Sequence, residues 1–509
     1  MNSRKILKST FIIMAVSILS RGIGFIRDML IASSFGTGLY ADAYSVAVTI
    51  PESLFMIIGL AISTSFLPVL SEQLIKNGKN KMHEFANKVI TLLVVISIGV
   101  FLISFIFARQ IVPFFASGYS GEKLELTIFL TRITMLNLLF LAVNACFSSI
   151  LQVNEDFIVP SILGLFFNAP MIIYLVFFNG YSIVGLTIAN VIGNIARVLV
   201  QIPSLIKHGY IYKPDFKFKD ERIRKVLLLI APVIIGAGAN SINMMVDIKI
   251  AGYLEEGSVA ALNYSQKLIV FLNTIITSSI LTVTFPLMAN SKNSEDKEGF
   301  IQYVKKTIIY TMLLLIPIAT AAIIYNQDII KMIYMRNEFT LHSVSLTRLA
   351  FLGYLIGLAF YGIRDILNST LFSMGRTKDT TINGVIGVIA NILFNIILSK
   401  MFGIIGISIA TSSALIITSV LLLSNINRVV SNFNMLELII KLFKILFASI
   451  IMGVILVFIN NTFNIVLNIK TIIPITLIGM LIYYIFCMIL RINEINEISL
   501  LFLKKIRRK

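Results

Sequence analysis

The sequence predicts an all-α polytopic membrane protein of about 14 transmembrane helices, arranged as two parallel six-helix lobes plus two further helices. Three observations predict it. Hydrophobic residues make up 57% of the 509 and charged residues 13%, with a mean hydropathy of +0.91, whereas soluble domains are about 45–50% apolar and about 25% charged. Apolar runs long enough to span a bilayer follow one another along almost the whole chain. Lys and Arg collect in alternate connections between those runs. This composition excludes a water-soluble enzyme, a disordered chain and a coiled coil. The runs are too long and too uniformly apolar for barrel strands, which alternate every second residue.

The elements follow in order. The first run, 10–33, opens after Arg4, Lys5 and Lys8. It begins like a signal peptide but continues past Arg21 without a cleavage site, and is read as a retained helix. The second, 40–70, contains Pro51 and Pro68, which should bend it. Lys76, Lys79 and Lys81 separate it from a third run at 85–108. Runs at 124–152, 157–178 and 183–205 complete a set of six, with Pro170 inside the fifth and NGYS at 179–182 before the sixth. A basic connection holding Lys213, Lys217, Lys219, Arg222, Arg224 and Lys225 leads to 222–252 and 259–288, divided by EEG at 255–257. Pro286 lies inside the second of these. After Lys292, Lys297, Lys305 and Lys306 come 302–325 and 342–373; after Arg376 and Lys378 come 380–400 and 404–426. The last pair is 437–459 and 470–490, followed by the tail LKKIRRK.

With the N-terminus in the cytoplasm, every even-to-odd connection is cytoplasmic too, and those are the basic ones. The expected topology is N-in and C-in, across the inner or plasma membrane. The net charge of +18, from 43 Lys+Arg against 25 Asp+Glu, then belongs to cytoplasmic loops beside anionic lipid. It does not indicate a nucleic-acid partner. Cys146 and Cys487 sit in apolar runs, and His83, His208 and His342 are scattered, so neither a disulfide framework nor a metal cluster is expected.

The chain also repeats itself. LTR occurs at 130–132 and 346–348; IVGLTIA at 183–189 resembles IIGISIA at 404–410; Pro68 is matched by Pro286 and Asp28 by Asp247. All four offsets are about 216–221 residues, and a repeat of six helices is a parallel one, related by an axis along the membrane normal. The expected domains are 1–215, 216–430, and 431–509 for the two extra helices and the basic tail. Two such lobes around a cavity are a transporter architecture.

Charge inside a membrane costs about 2.5–3.5 kcal/mol per group even on lenient scales and marks water, a partner or a substrate. Arg21 and Arg27–Asp28 lie in the first run, Asp42 and Glu52 in the second, Asp247 and Lys249 in the seventh, Lys267 in the eighth, and Arg348 and Arg364–Asp365 in the tenth. Arg21, Arg27 and Lys267 sit on helices that open a lobe and are read as cations for a multiply charged anion, phosphate above all. Structural ion pairing or snorkelling is the alternative for the Arg–Asp pairs. Arg132, Arg197 and Arg348 are read as structural. A second candidate site combines Asp247 with Asn391 and Asn395, spaced i, i+4 on one helix face, and Thr411. These are hard oxygen donors suited to a monovalent cation; polar contacts between helices are the alternative. GxxxxGK[ST] and HExxH are both absent and no carboxylates are paired for hydrolysis, so no enzyme is expected and transport should run on a gradient or on the membrane potential.

Several segments together resemble the MurJ (MviN-like) lipid II flippase family of the multidrug/oligosaccharidyl-lipid/polysaccharide exporter superfamily. They are SRGIGFIRDMLIASSFGTGLYADAY, VIGNIARVLVQIPSL at 191–205, VDIKIAGYLEEGSVAALNYSQKL at 246–268, YMRNEFT at 334–340 and LFSMGRTKDT at 371–380. The resemblance implies fourteen helices, with a cationic cavity lined by the first, second, seventh and eighth. It also implies a groove for a polyprenyl tail on the last two. By resemblance Arg21, Arg27 and Asp42 match cavity residues, and Lys267 stands where an Arg is usual. Asp247, Asn391, Asn395 and Thr411 match a sodium site, with Ile407 giving a backbone carbonyl and sodium as the coupling ion. The family's Arg pair after the second-helix proline is missing here, where PESLFMIIG stands. The function implied is movement of lipid II, a polyprenyl-diphosphate-linked saccharide, from the cytoplasmic to the outer leaflet, with cell-wall synthesis proteins as partners. The alternatives are another lipid-linked oligosaccharide or a cation-coupled small-molecule antiporter, the latter calling for an acidic cavity.

Overall fold

The computed structural model describes residues 3–495 apart from 179, 181, 294, 295, 431, 432 and 464–467. The tail at 503–509, two residues of NGYS, and the side chains of Arg4, Lys5, Lys8 and Lys225 lie outside the described residues. Among the described residues every regular element is helical. Among the described residues eleven helices are long and apolar enough to cross a membrane, as befits a polytopic all-α membrane protein.

In the first half the helices are α1 (Ser3–Phe35), α2 (Leu39–Ala61), α3 (Leu67–Ile106), α4 (Ala108–Phe115), α5 (Gly121–Thr134), α6 (Asn137–Val153), α7 (Ile158–Phe177), α8 (Ile183–Leu199), α9 (Ile202–Lys207) and α10 (Glu221–Ala251). In the second they are α11 (Ser258–Asn273), α12 (Ser279–Asn293), α13 (Lys297–Ile324), α14 (Asn326–Tyr334), α15 (Leu341–Ser373), α16 (Thr377–Phe402), α17 (Ile404–Val429), α18 (Met435–Phe463) and α19 (Ile469–Ile489). Polar caps set several starts. Ser182 accepts from the Gly185 N–H at α8, Asp220 from Arg222 at α10, Asp296 from Gly299 at α13 and Thr340 from Ser343 at α15. Each satisfies an orphan donor of the first turn.

Three features differ from the sequence expectation. The basic stretch 71–84 is not a loop: α3 runs through it, broken only at Gly78, whose φ of 75° suits glycine. The run at 124–152 divides at Met135–Leu136 into α5 and α6. A five-residue π-helical turn, Ile62–Phe66, precedes α3, and another, Thr274–Ser278, precedes α12. Pro51, Pro170 and Pro286 lie inside helices as expected, whereas Pro68 falls in the first turn of α3, where a missing N–H costs nothing.

The chain divides into two compact units, Met1–Asn263 with Arg336–Phe339, and Tyr264–Met335 with Thr340–Lys509. Among the described residues the first gathers apolar side chains in two places. One gathers Phe66, Leu70, Met82, Phe85, Phe147 and Tyr210; the other gathers Ile31, Tyr44, Leu130, Phe167, Met171 and Leu186. In the second unit α15 packs along α17 and α17 along α16. There Gly353 and Gly357 of α15 face Ser408 and Ser412 of α17. A Cβ on Gly357 would meet the Ser412 Oγ at 2.6 Å, so small residues set the helix separation, as in other membrane bundles. The Ser412 hydroxyl donates to the Gly353 carbonyl at 2.6 Å.

Candidate functional site

The first unit gathers charge where α1, α7 and α8 meet. Arg27 of α1 donates from Nε and Nη2 to Asp28 Oδ1, at 3.2 and 2.7 Å, and Asp28 is buried. The Arg27 guanidinium also lies 5.3 Å from the centre of the Phe167 ring of α7, and that of Arg197, from α8, lies 3.7 Å from the same ring. Arg197 donates to Asn194 Oδ1 at 3.2 Å. Aromatic faces attract guanidinium groups within about 6 Å, so Phe167, which is 8% exposed, holds two cations against one ring. Below it Tyr44, Met171, Asn190 and Asn137 form a hydrogen-bonded chain. Arg21, six residues before Arg27, is exposed and has no hydrogen-bond or ion-pair partner among the described residues.

Asp42 stands apart from this cluster. It is 1% exposed and its oxygens are occupied. Lys123 Nζ of α5 donates at 2.5 Å, the Gly257 N–H at 2.9 Å and the Ala260 N–H at 2.7 Å. Asp42 therefore caps the start of α11 and complements its positive end. Beside it the Leu39 N–H donates to Glu256 Oε1 at 3.0 Å. Gly257, with φ of 91°, passes so close to Thr37 that a Cβ would sit 3.0 Å from it.

In the second unit four of the proposed ion donors come together. Asn391 Nδ2 donates to Thr411 Oγ1 at 3.2 Å, Asn395 Nδ2 to Asn391 Oδ1 at 2.7 Å, and Thr411 Oγ1 to the Ile407 carbonyl at 3.2 Å. Asn391, Asn395 and Ile407 are buried. Two amides, a hydroxyl and a carbonyl are a neutral, hard donor set, which fits a monovalent rather than a divalent cation. Asp247, of α10 in the first unit, and Lys267, of α11 in the second, are both half-buried. Among the described residues no group of three His, Cys, Asp or Glu side chains could hold a metal. Arg364 pairs with Asp365 at 3.0 Å and lies 4.4 Å from the Tyr361 ring; Asp365 also accepts from Asn273.

The family profile described as lipid II flippase MurJ matches residues 31–478. The chain belongs to the MurJ family. A probable lipid II flippase MurJ from Vibrio cholerae is 29% identical over 433 residues, covering 82% of each chain. One from Thermotoga maritima is 26% identical, covering 97% of this chain and 98% of its own. Among solved structures, that of a lipid II flippase MurJ in an inward closed conformation superposes with a TM-score of 0.82 at 27% identity, over 94% of this chain and 99% of that one. An inward-facing multidrug resistance MATE family transporter of the MOP superfamily shares the fold, with a TM-score of 0.67 at 15% identity and coverage of 83% and 98%.

In this MurJ family member the structure brings Arg27 together with Arg197, a residue that sequence reasoning assigned to scaffolding. The signal was present, since Arg197 interrupts the apolar run 183–205 much as Arg27 interrupts 10–33. What was missing was the knowledge that both reach one phenylalanine. Arg132 keeps its scaffolding role: it donates to the Phe105 carbonyl at 3.2 Å and stacks on that ring at 5.4 Å. A cavity of about 630 Å³, lined by Asp156, Ser204, Lys207, His208 and the apolar Phe157 and Ile158, includes none of the predicted site residues.

Proposed function

We propose that this protein carries lipid II from the cytoplasmic to the outer leaflet by alternating access, as a transporter with no chemical step of its own. Membership of the MurJ family over residues 31–478 supports the substrate. The observation that carries the mechanism is the Arg27 guanidinium, held in α1 by Asp28 and the Phe167 face. A planar fork fixed in this way is prepared for phosphate oxygens. In a low-dielectric surround such a charge attracts a diphosphate far more strongly than it would in water. Arg21, exposed in α1, is proposed as a second headgroup contact, and Lys267 as a third on the strength of its sequence position. Asp42, fully engaged with Lys123 and the start of α11, would act by fixing that helix.

Sodium is proposed to bind the Asn391, Asn395, Thr411 and Ile407 oxygens. Bound there it would supply a positive charge, and the Asn391, Asn395, Thr411 and Ile407 oxygens would hold it. The proposed orientation is N-in and C-in in the plasma membrane, which the basic connections support.

The test is genetic. A cell depleted of its own lipid II flippase should grow when this chain is expressed and should accumulate lipid II when the chain carries Arg27→Ala at equal abundance. Failure of the unaltered chain to rescue, or accumulation of a different lipid-linked intermediate, contradicts the proposal.

A further inference from the structure

The cavity of about 630 Å³ in the first unit lies where three membrane-length stretches meet. Gly121–Val153 ends beside it, Ile158–Phe177 begins beside it and Ile183–Lys207 ends beside it. It therefore sits at one edge of the bilayer, and its volume is that of a ligand pocket, about 300–1,000 Å³. Asp156 holds its walls together. Oδ1 accepts from the Val159 N–H of α7 at 3.3 Å and Oδ2 from the Ser204 hydroxyl of α9 at 2.5 Å, with His208 Nε2 3.6 Å from Oδ2. Two further charges on the lining are not used in this way. The Glu155 carboxylate and the Lys207 ammonium are both exposed, and neither has a hydrogen-bond or ion-pair partner among the described residues. Glu155 is held there at a φ of 61°, in the left-handed region that a residue with a long side chain rarely adopts. Strain of this kind persists where the surroundings impose it, and it gathers at ligand sites. The lining also includes Phe157 and Ile158, 48% and 47% exposed.

We infer that this cavity binds the headgroup of a zwitterionic aminophospholipid, a primary ammonium joined to a phosphodiester. Glu155 accepts from the ammonium, Lys207 donates to the phosphate, and the acyl chains run over Phe157 and Ile158. One ligand thus answers an unpaired anion, an unpaired cation and an exposed apolar step on the same lining. A purely anionic head meets the two carboxylates of the α6–α7 turn, Glu155 and Asp156, and is repelled. A trimethylated ammonium has no N–H to give Glu155, whereas a primary one forms a charge-assisted hydrogen bond. Under the proposed N-in orientation the lipid belongs to the cytoplasmic leaflet. No residue proposed for lipid II or for sodium lines this cavity, so the inference goes beyond the proposed function and stands or falls separately from it.

The experiment is native mass spectrometry of the purified full chain in detergent, titrated with phosphatidylethanolamine, phosphatidylcholine or phosphatidylglycerol of matched acyl chains. The unaltered chain should bind phosphatidylethanolamine more tightly than either of the others. Glu155→Gln and Lys207→Gln should each weaken phosphatidylethanolamine about fivefold, the scale of one exposed ion pair. Glu155→Gln should at the same time tighten phosphatidylglycerol, because a repelling carboxylate is gone. Both side chains are exposed, so neither substitution should move the thermal midpoint, and opposite responses of two lipids to one substitution cannot come from misfolding. Soluble phosphoethanolamine should compete only at far higher concentration than the lipid. An ordinary surface hollow binds phosphatidylethanolamine and phosphatidylglycerol alike and ignores both substitutions; either result overturns the inference. Competition by phosphoethanolamine at the concentration of the lipid overturns the assignment to a membrane lipid.

Discussion

Asp42 and Arg27 are both charged, both close to an opposite charge and both in the first two helices, yet their surroundings give them different work. Asp42 is sealed, with three donors on two oxygens. Removing one partner from a buried, hydrogen-bonded pair leaves an uncompensated charge and costs about 3–5 kcal/mol. Asp42→Ala should therefore lower the thermal midpoint of the purified protein markedly, and Lys123→Met should do the same. An unchanged midpoint in both would contradict the capping role. Arg27 is bound to its own neighbour in sequence, Asp28, and to one ring face, and its loss should act on transport more than on stability. The residue scale was legible in part. Arg21, Arg27 and Lys267 stood out because charge in an apolar run is expensive. Asp42 stood out for the same reason, but only the fold shows that its oxygens are taken by the Gly257 and Ala260 N–H groups, some 215 residues away in sequence. That Arg197 and Arg27 both lie against the Phe167 ring is a contact that one sequence cannot show.

Among the elements, the connection between α9 and α10 behaves as a strap. The Tyr210 hydroxyl donates to Asn87 at 2.8 Å, the Asp215 N–H to Thr91 at 3.1 Å, and Asp220 takes Lys88 at 2.9 Å and Arg222 at 2.6 Å. The hydrogen bond from Arg222, aided by Lys88, holds the Asp220 carboxyl well below the usual carboxylate range despite partial burial. A depressed folded value contributes stability that is present above the unfolded value of about 3.9 and is lost as pH falls through the folded one. Amide exchange in 208–222 should accelerate as pH is lowered below about 4, after correction for intrinsic rates, and Asp220→Asn should exchange faster already at neutral pH with a flatter acid response. Equal protection in both proteins would remove the strap from the account.

The α15–α17 contact is the other element-scale feature. Replacing Gly357 by Leu would force a side chain into Ser412, and such overpacking costs typically about 1–3 kcal/mol. The thermal midpoint should fall, whereas Gly384→Ala, with open space around its Cβ position, should leave it nearly unchanged. Equal midpoints would contradict close packing. Run lengths and basic connections were readable from the sequence because hydropathy and charge are local properties. The helical stretch through 71–84, the π-helical turns at Ile62–Phe66 and Thr274–Ser278, and the division of α5 from α6 were not. Each depends on how a backbone bends against neighbours that hydropathy does not register.

At the scale of the whole molecule, the repeat seen in LTR, in Pro68 and Pro286 and in the IVGLTIA and IIGISIA segments has a structural echo. Each half places a π-helical turn ahead of the helix carrying its matched proline. The two halves carry different side chains. The first unit concentrates the arginines around Phe167, and the second concentrates neutral oxygens on α16 and α17. If the second half binds a cation as proposed, the chain has a route to coupling, since the substrate and the ion would bias different parts of it. Sodium should then raise the thermal midpoint of the unaltered protein more than equimolar choline does, and Asn395→Leu should abolish the difference; equal shifts with both cations would remove sodium from the account.

The central claim is that arginine held in α1 carries the diphosphate headgroup across. The most direct measurement is lipid II translocation in proteoliposomes containing the purified chain, read by the fraction of labelled lipid II that becomes accessible to an impermeant enzyme on the far side. The unaltered protein should expose lipid II well above empty vesicles, and Arg27→Ala, reconstituted in equal amount, should fall to the empty-vesicle level. Translocation by Arg27→Ala at the unaltered rate would contradict the account.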